Sequence, residues 1–347
     1  MLPSGILDTK YDSDMAILRT KTQWSFLAAA LVLLFTIPLF TSNYWVTWLT
    51  GIAITILAVL GLHILTGLCG IFSIGQAAFV GVGAYTTAVL ATRHGLSGWV
   101  CLPIAGLAAG VVGLFFGLPS FRLKGFYIAI ATLAASFIII WSVRAPLGDW
   151  TGAGIGMGVA PLELGGIVLK TRVNCYYLAM GLVLLGTFFA KNIQRTSTGR
   201  AFVAIRDNEL AAEVSGINLF RYKMLAFFIG CFYAGVAGWL LAYSNLWVTP
   251  DQFGLSNSIW YFGMLAIGGM GSTTGVFLGV LFLRLLQVLI DEITPLVPVA
   301  QFHVSMSMLL YSAVIMGFLI LQPRGLHYLW EKVKVYYRLR PYSYRGG

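Results

Sequence analysis

The chain has 347 residues, 59% of them hydrophobic and only 10% charged, with a mean hydropathy of +0.85 and a net charge of +10. So few charges cannot cover the surface of a soluble domain, which excludes that class and leaves an integral membrane protein. In such a protein an excess of basic residues reports the orientation of the spans rather than a nucleic-acid partner. Cys69, Cys101, Cys175 and Cys231 lie in or beside apolar runs without C-x-x-C spacing, and His63, His94, His303 and His327 are scattered, so neither a zinc site nor a redox pair is indicated.

Residues 1–23 mix acidic and basic side chains with little periodicity and read as a cytoplasmic N-terminal tail. A signal peptide is the competing reading of the apolar run that follows. No small-x-small cleavage pattern closes that run and a second span begins almost at once, so it reads as a retained helix. Apolar windows of bilayer-crossing length fall at Trp24 to Phe40, Trp45 to Leu65, Ser73 to Ala91, Trp99 to Leu118 and Gly125 to Val143. Further windows fall at Cys175 to Ala190, Met224 to Ser244, Asn257 to Met270, Gly275 to Ile290 and Val304 to Leu321. The expectation is an all-α membrane protein of about ten transmembrane helices over residues 24–322, followed by a basic cytoplasmic tail over 323–347. The window at Asn257 is short enough to be a half-span or a tilted helix packed inside protein.

With both termini inside, the cytoplasmic segments hold most of the 22 basic residues: Lys10, Arg19, Lys21, Arg122, Lys124, six between Lys191 and Lys223, and six between Arg324 and Arg345. Only Arg93, Arg144, Lys170 and Arg172 fall outside, with Arg284 inside a span. That bias obeys the positive-inside rule and puts the loop from Thr198 to Lys223 on the ATP-containing side. A charge within a span costs about 2.5 to 3.5 kcal/mol on insertion scales, so Arg284 is expected to have an internal or interfacial partner rather than direct contact with substrate.

The stretch Thr66 to Ala91 carries Gly67, Gly70, Gly75, Gly81 and Gly83. Glycine at this density destabilises a continuous helix and lets backbones approach closely, which predicts a broken or tightly packed element near residues 66–85 that lines a path. Ser73, Gly75, Gln76, Gly81, Gly83 and Tyr85 are its candidate path residues. The alternative is that the glycines serve only to pack helices. Other polar residues within spans, Thr132, Ser136, Asn257, Ser258, Tyr261, Ser305 and Ser307, read mostly as interhelical hydrogen-bonding groups. Ala145 to Val173 forms the longest outer connection. Its run GAGIGMG lacks a preceding strand and an acidic ribose partner, so a nucleotide site is not indicated. A flexible loop that contacts a substrate-delivering protein and a plain linker both remain open for it.

Thr198 to Lys223 is the only long charged segment with a helical pattern. Phe202, Ile205 and Ala212 give an apolar stripe, with Arg200, Arg206, Asp207, Glu209 and Glu213 polar around it, and Gly216 ends the helix. The bland alternative is a solvated amphipathic linker.

Two of these stretches resemble one family. AAEVSG, Ala211 to Gly216, is similar to the loop by which permease subunits of bacterial ABC importers dock on their ATPases, and GRAFVAIRDNELAAEVSGINLFRYK is similar to that loop in the branched-chain amino-acid permeases. Leu210 stands where many importer permeases carry a Glu. Gly70, Ser73, Gly75, Gln76, Ala77, Phe79, Gly81, Gly83, Ala84 and Tyr85 match the family's G-x-x-S-x-G-[HQ]-A-x-F-x-G-x-G-A-Y signature, with Gln76 where many relatives have His. Gly230 to Leu241, Val248 to Phe253 and Ala266 to Gly279 resemble the family's closing spans.

The resemblance implies a homologous second permease, two cytoplasmic ATP-binding subunits and an extracytoplasmic binding protein in a bacterial inner membrane. It also implies a cytoplasmic coupling helix acting through Arg200, Ile205, Arg206, Glu209, Ala211, Ala212, Glu213 and Gly216. No G-x-x-x-x-G-K-[ST] occurs in the chain, so it is expected to hold no cofactor, with ATP bound on partner subunits and no enzyme activity of its own. Other cargoes such as urea, short amides or aromatic acids, a stand-alone channel or gradient-driven carrier, and a membrane enzyme are the rival readings. The missing carboxylates within spans speak against a proton-driven carrier.

Overall fold

Apolar runs that cannot leave backbone groups unpaired in hydrocarbon must close their hydrogen bonds locally, and here they do so as helices. The computed structural model describes residues 21–120, 125, 127–152, 154–164, 167–168, 172–293, 303–322 and 325–339. In chain order the helices are α1 (Lys21–Phe40), α2 (Asn43–Leu62, prolonged by a π-helical turn His63–Leu68), α3 (Gln76–Arg93), α4 (Gly98–Ser120) and α5 (Tyr127–Arg144). The short α6 (Gly148–Thr151), α7 (Arg172–Arg195), α8 (Ser197–Asp207), α9 (Glu209–Val214) and α10 (Leu219–Asn245) follow. A 3-10 turn Pro250–Phe253 then leads to α11 (Leu255–Gly268), α12 (Thr273–Ile293), α13 (His303–Leu321) and α14 (Gly325–Leu339). Among the described residues strands are limited to two-residue pairs, β1 (Met157–Gly158) with β4 (Trp247–Val248) and β2 (Glu163–Leu164) with β3 (Ile167–Val168).

Each apolar window falls largely on a helix, and among the described residues six stretches are both long and apolar enough to cross a bilayer: Asn43–Leu68, Gly98–Leu118, Tyr127–Arg144, Arg172–Arg195, Leu219–Asn245 and Thr273–Ile290. The remaining windows correspond to α1, α3, α11 and α13. Gln76, Thr86, Thr87, Thr92 and Arg93 reduce the hydropathy of α3 and α11 has only 14 residues, whereas α1 and α13 include side chains that lie outside the described residues. The expectation of about ten spans is thus met in part, by these six stretches among the described residues, with α1, α3, α11 and α13 on the other four windows.

α10 stands at the centre against α2, α3 and α4, and it is buried on nearly every side from Lys223 to Tyr243. Between apolar helices in lipid there is no hydrophobic gain, so close van der Waals contact has to hold them, and small residues permit it. Gly61 of α2 lies against Gly230, Gly83 of α3 against Gly235, and Gly235 in turn against Ala105 of α4. Trp239, wholly buried, donates from Nε1 to Gly98 O at 2.8 Å, and the Tyr233 hydroxyl donates to Gly186 O at 2.7 Å. α7 packs on α2, and α1 is fastened to α7 where the Tyr176 hydroxyl donates to Leu34 O at 2.7 Å. α11 and α12 form a hairpin closed by Gly268 against Gly275.

α8 and α9 project from one end of the bundle, the loop end; Asn43, Arg93, Arg172 and Asn245 mark the opposite, far end. At the far end the glycine-rich connection is held rather than loose. β1 pairs with β4, Thr92 Oγ1 donates to Gly158 O at 2.9 Å, Arg93 lies 5.1 Å from the Trp150 ring, and Arg144 pairs with Asp251. Residues 1–20 of the expected N-terminal tail lie outside the described residues, and Lys21 already belongs to α1. Of the basic residues used to orient the chain, Lys10, Arg19, Arg122, Lys124, Lys170, Arg324, Arg340 and Arg345 lie outside the described residues, as do the side chains of Lys21 and Arg338. The expected C-terminal tail is helical over α14, which packs on α11 and α12.

Candidate functional site

The glycine-dense stretch breaks where its composition said it would. α2 unwinds into the wider π-helical turn, the chain leaves helical geometry over residues 69–75, and α3 begins at Gln76. Gly70 has φ +74°, a conformation that side chains with a Cβ resist. Freed backbone groups in this segment need partners, and polar side chains from distant helices supply them. Thr132 Oγ1 of α5 accepts from Ile74 N at 3.1 Å, and Ser258 Oγ of α11 accepts from Ala77 N at 3.1 Å. Thr66 Oγ1 donates to Ile71 O at 2.9 Å. Two of the polar residues expected to bond between helices, Thr132 and Ser258, do so; Ser136 Oγ instead donates to Leu133 O within its own helix, and Asn257 Nδ2 to Gln252 O nearby.

The candidate path residues are brought together along α3, but they do not share one surface. Gln76 is buried, and its Nε2 donates to Ala58 O at 3.0 Å and Gly230 O at 3.3 Å, tying the start of α3 to α2 and α10. Gly83 faces Gly235, and a Cβ on Gly75 would come within 2.5 Å of Thr132 O. These three sit where helices meet. Gly81 lies against the Phe253 ring, which also takes the edge of Tyr85 at a centroid distance of 6.1 Å. Tyr85 also lines a cavity of about 490 Å³ between α3, α4 and α5, walled mainly by Val82, Val112, Phe116 and Ile139. The buried Ser73 hydroxyl and Tyr85 hydroxyl have no hydrogen-bond partner among the described residues.

The charged loop is two helices where the apolar stripe suggested one. Asn208 takes an extended backbone (φ −159°, ψ 109°), and its side chain accepts from Ala211 N at 3.1 Å, so it ends α8 and caps α9. An Asn at that position favours a cap over a helix interior, which is the physical reason for the split. Gly216, at φ +83°, ends α9 as expected, and Asn218 caps α10. Phe202, Ile205 and Ala212 are buried, so the stripe is correct even though the helix carrying it is divided. Arg200, Ala211, Glu213 and Gly216 are exposed; Arg200 Nη1 donates to Arg195 O at 3.2 Å.

Two side chains anchor this loop. Lys223, with 6% of its side chain exposed, donates to Glu209 Oε1 at 2.6 Å and so fixes the start of α9 to α10. Arg206 Nη1 donates to Gly67 O at 2.9 Å in the π-helical turn, and its stem packs on Gly70. Arg206 thus joins the two stretches singled out in the sequence. Gly67 also packs on Met270 after α11 and on the ring of His63, whose Nε2 lies 3.0 Å from Gln194 Nε2. The outward face of α9 is not among the expected contact residues. Leu210 and Val214, one turn apart, are 68% and 90% exposed, and their i, i+4 spacing was the available signal.

No solved structure matches the chain. The high-affinity branched-chain amino acid transport system permease protein LivM of Escherichia coli K12 is 32% identical over 331 residues, 88% of this chain and 75% of the relative. The protein of the same name from Salmonella typhimurium is 31% identical over the same shares. An autoinducer 2 import system permease protein, LsrC of Enterobacter sp. strain 638, is 30% identical over 209 residues, 58% of this chain and 59% of the relative. The model of the family described as branched-chain amino acid transport system, permease component, matches residues 44–320. That span takes in the broken segment, both loop helices and the α11–α12 hairpin, and the chain belongs to this family of ABC permeases.

Proposed function

We propose that the chain is the membrane-spanning permease subunit of an ABC importer in a bacterial inner membrane, moving branched-chain amino acids. ATP hydrolysis on two cytoplasmic partner subunits would drive it, with a homologous second permease beside it and an extracytoplasmic binding protein supplying cargo. The family supplies the class. The single structural observation that supports the division of labour is α9, whose Leu210 and Val214 face outward while Ala212, Glu209 and the neighbouring Arg206 hold it to the body. An exposed apolar pair on a firmly held helix suits a protein partner. Lys191, Arg195, Arg200, Arg206, Arg221 and Lys223 gather at this same end, which supports placing it in the cytoplasm.

In this reading nucleotide-driven movement of the ATPases displaces α8 and α9. Arg206 carries the movement to the π-helical turn, and the pair of permeases alternates between its two openings. In proteoliposomes with all partners, leucine uptake should stop with an ATPase that cannot hydrolyse ATP. In the same vesicles Val214→Asp should lower uptake about tenfold or more while leaving the purified chain's thermal midpoint in place. Undiminished uptake with the inactive ATPase would refute the reading. Competition by unlabelled valine, urea and a sugar-like autoinducer would separate the branched-chain cargo from others; the similarity to LsrC makes the last a specific comparison.

A further inference from the structure

Toward the far end, α2, α7, α10, α11 and α12 enclose a second cavity, of about 440 Å³. Arg284 of α12 is part of its lining, and the internal partners expected for it are present but neutral. Nη2 donates to Thr55 Oγ1 at 2.6 Å and Nη1 to Gln287 Oε1 at 3.3 Å, while the buried Nε has no partner. Thr55 lies about 18 Å along α2 from Asn43, so this guanidinium is held at bilayer depth rather than drawn out to an interface. Arg172, exposed at the start of α7, also lines the cavity, with Nη1 donating to Thr47 Oγ1 at 3.4 Å. Among the described residues no Asp or Glu lines it.

Two guanidinium groups therefore share one space without a counter-charge in its lining. A half-buried cation at bilayer depth that meets only neutral acceptors, as Arg284 does, is under-compensated, and an anion placed between these groups would remedy that. The guanidinium fork matches the two oxygens of a carboxylate or a phosphodiester. The rest of the lining is neutral: Trp48, Ile54 and Leu241 give it an apolar part, Ser244, Asn245 and Tyr261 a polar one, and a Cβ on Gly51 would meet nothing within 4 Å.

We propose that this cavity binds an oxyanion carried on a compact apolar body, which enters from the far end, passes Arg172 at the mouth and is held at depth by Arg284. Two sources offer that chemistry. One is the carboxylate of the cargo, which rests on the functional reading above; the other is the headgroup of an anionic lipid.

The test uses the full chain in nanodiscs of phosphatidylcholine, without ATPase, so that it stands apart from the uptake experiment. Thermal midpoints are measured against 4-methylpentanoate, against 3-methylbutylamine, and with phosphatidylglycerol mixed into the disc. The oxyanions should raise the midpoint and the amine should not. Arg284→Gln should weaken the response about tenfold or more, with Arg284→Lys intermediate. Gly51→Leu fills the open space, leaves both arginines in place and should abolish the response. A response to the carboxylate alone assigns the site to cargo, and one to phosphatidylglycerol alone assigns it to lipid. No response from the unaltered chain, or an equal response from Arg284→Gln and Gly51→Leu, overturns the proposal. Should Arg284→Gln fail to fold, Gly51→Leu and Arg172→Gln decide the question.

Discussion

α2 and α10 meet twice, and the two meetings differ. At Gly61 and Gly230 the backbones are nearly in contact, with Gln76 bonded into the same junction. Nearer the far end, Gly51 faces open space, and Leu241 and Ser244 of α10 stand across a cavity from α2. Glycine is common to both places. In one it removes a side chain so that helices can touch, and in the other it leaves room that none of the described residues fills. The difference lies in what each glycine faces, and that is a property of the fold.

The comparison can be broken by adding atoms on each side. The largest effect is expected at Gly83, where any Cβ overlaps the Gly235 carbonyl; Gly83→Val should cost about 3 kcal/mol or more and leave little monodisperse protein after size-exclusion chromatography. Next comes Gln76→Leu, which removes the two bonds to Ala58 O and Gly230 O and should lower stability by about 1 to 2 kcal/mol, read as a fall in thermal midpoint in detergent. The smallest effect has the opposite sign. Gly51→Ala adds a methyl group where there is space and removes a flexible residue from a helix, and should raise stability by about 0.5 to 1 kcal/mol. A destabilised Gly51→Ala would mean that the two meetings are alike after all.

The same contrast explains what could be read from the sequence. A break near Gly70 was legible because glycine density acts locally, and the short window at Asn257 did become the 14-residue α11. Whether Gly83 and Gln76 served a path or a packing junction was not legible, because Gly230 and Gly235 lie some 150 residues away in the chain and nothing local points to them. Gln76 illustrates this directly: an amide that could bond to substrate uses the same hydrogens to bond two helix carbonyls. In the charged loop, burial of Phe202, Ile205 and Ala212 followed from spacing, whereas the split at Asn208 was hidden because an apolar stripe continued across a capping residue. A charge within a span calls for an internal or interfacial partner at Arg284, but that the partners are internal and neutral, Thr55 and Gln287, follows only from their positions.

The bond from Arg206 to Gly67 spans very little distance yet joins elements far apart in the chain. With its stem seated on Gly70, Arg206 behaves as a short rigid strut: α8 cannot shift by even a bond length without dragging the π-helical end of α2 or snapping that single hydrogen bond. Leverage applied at the protruding helices therefore arrives first at the π-helical turn of the second helix, where regular helical bonding gives way to the irregular segment over residues 69–75.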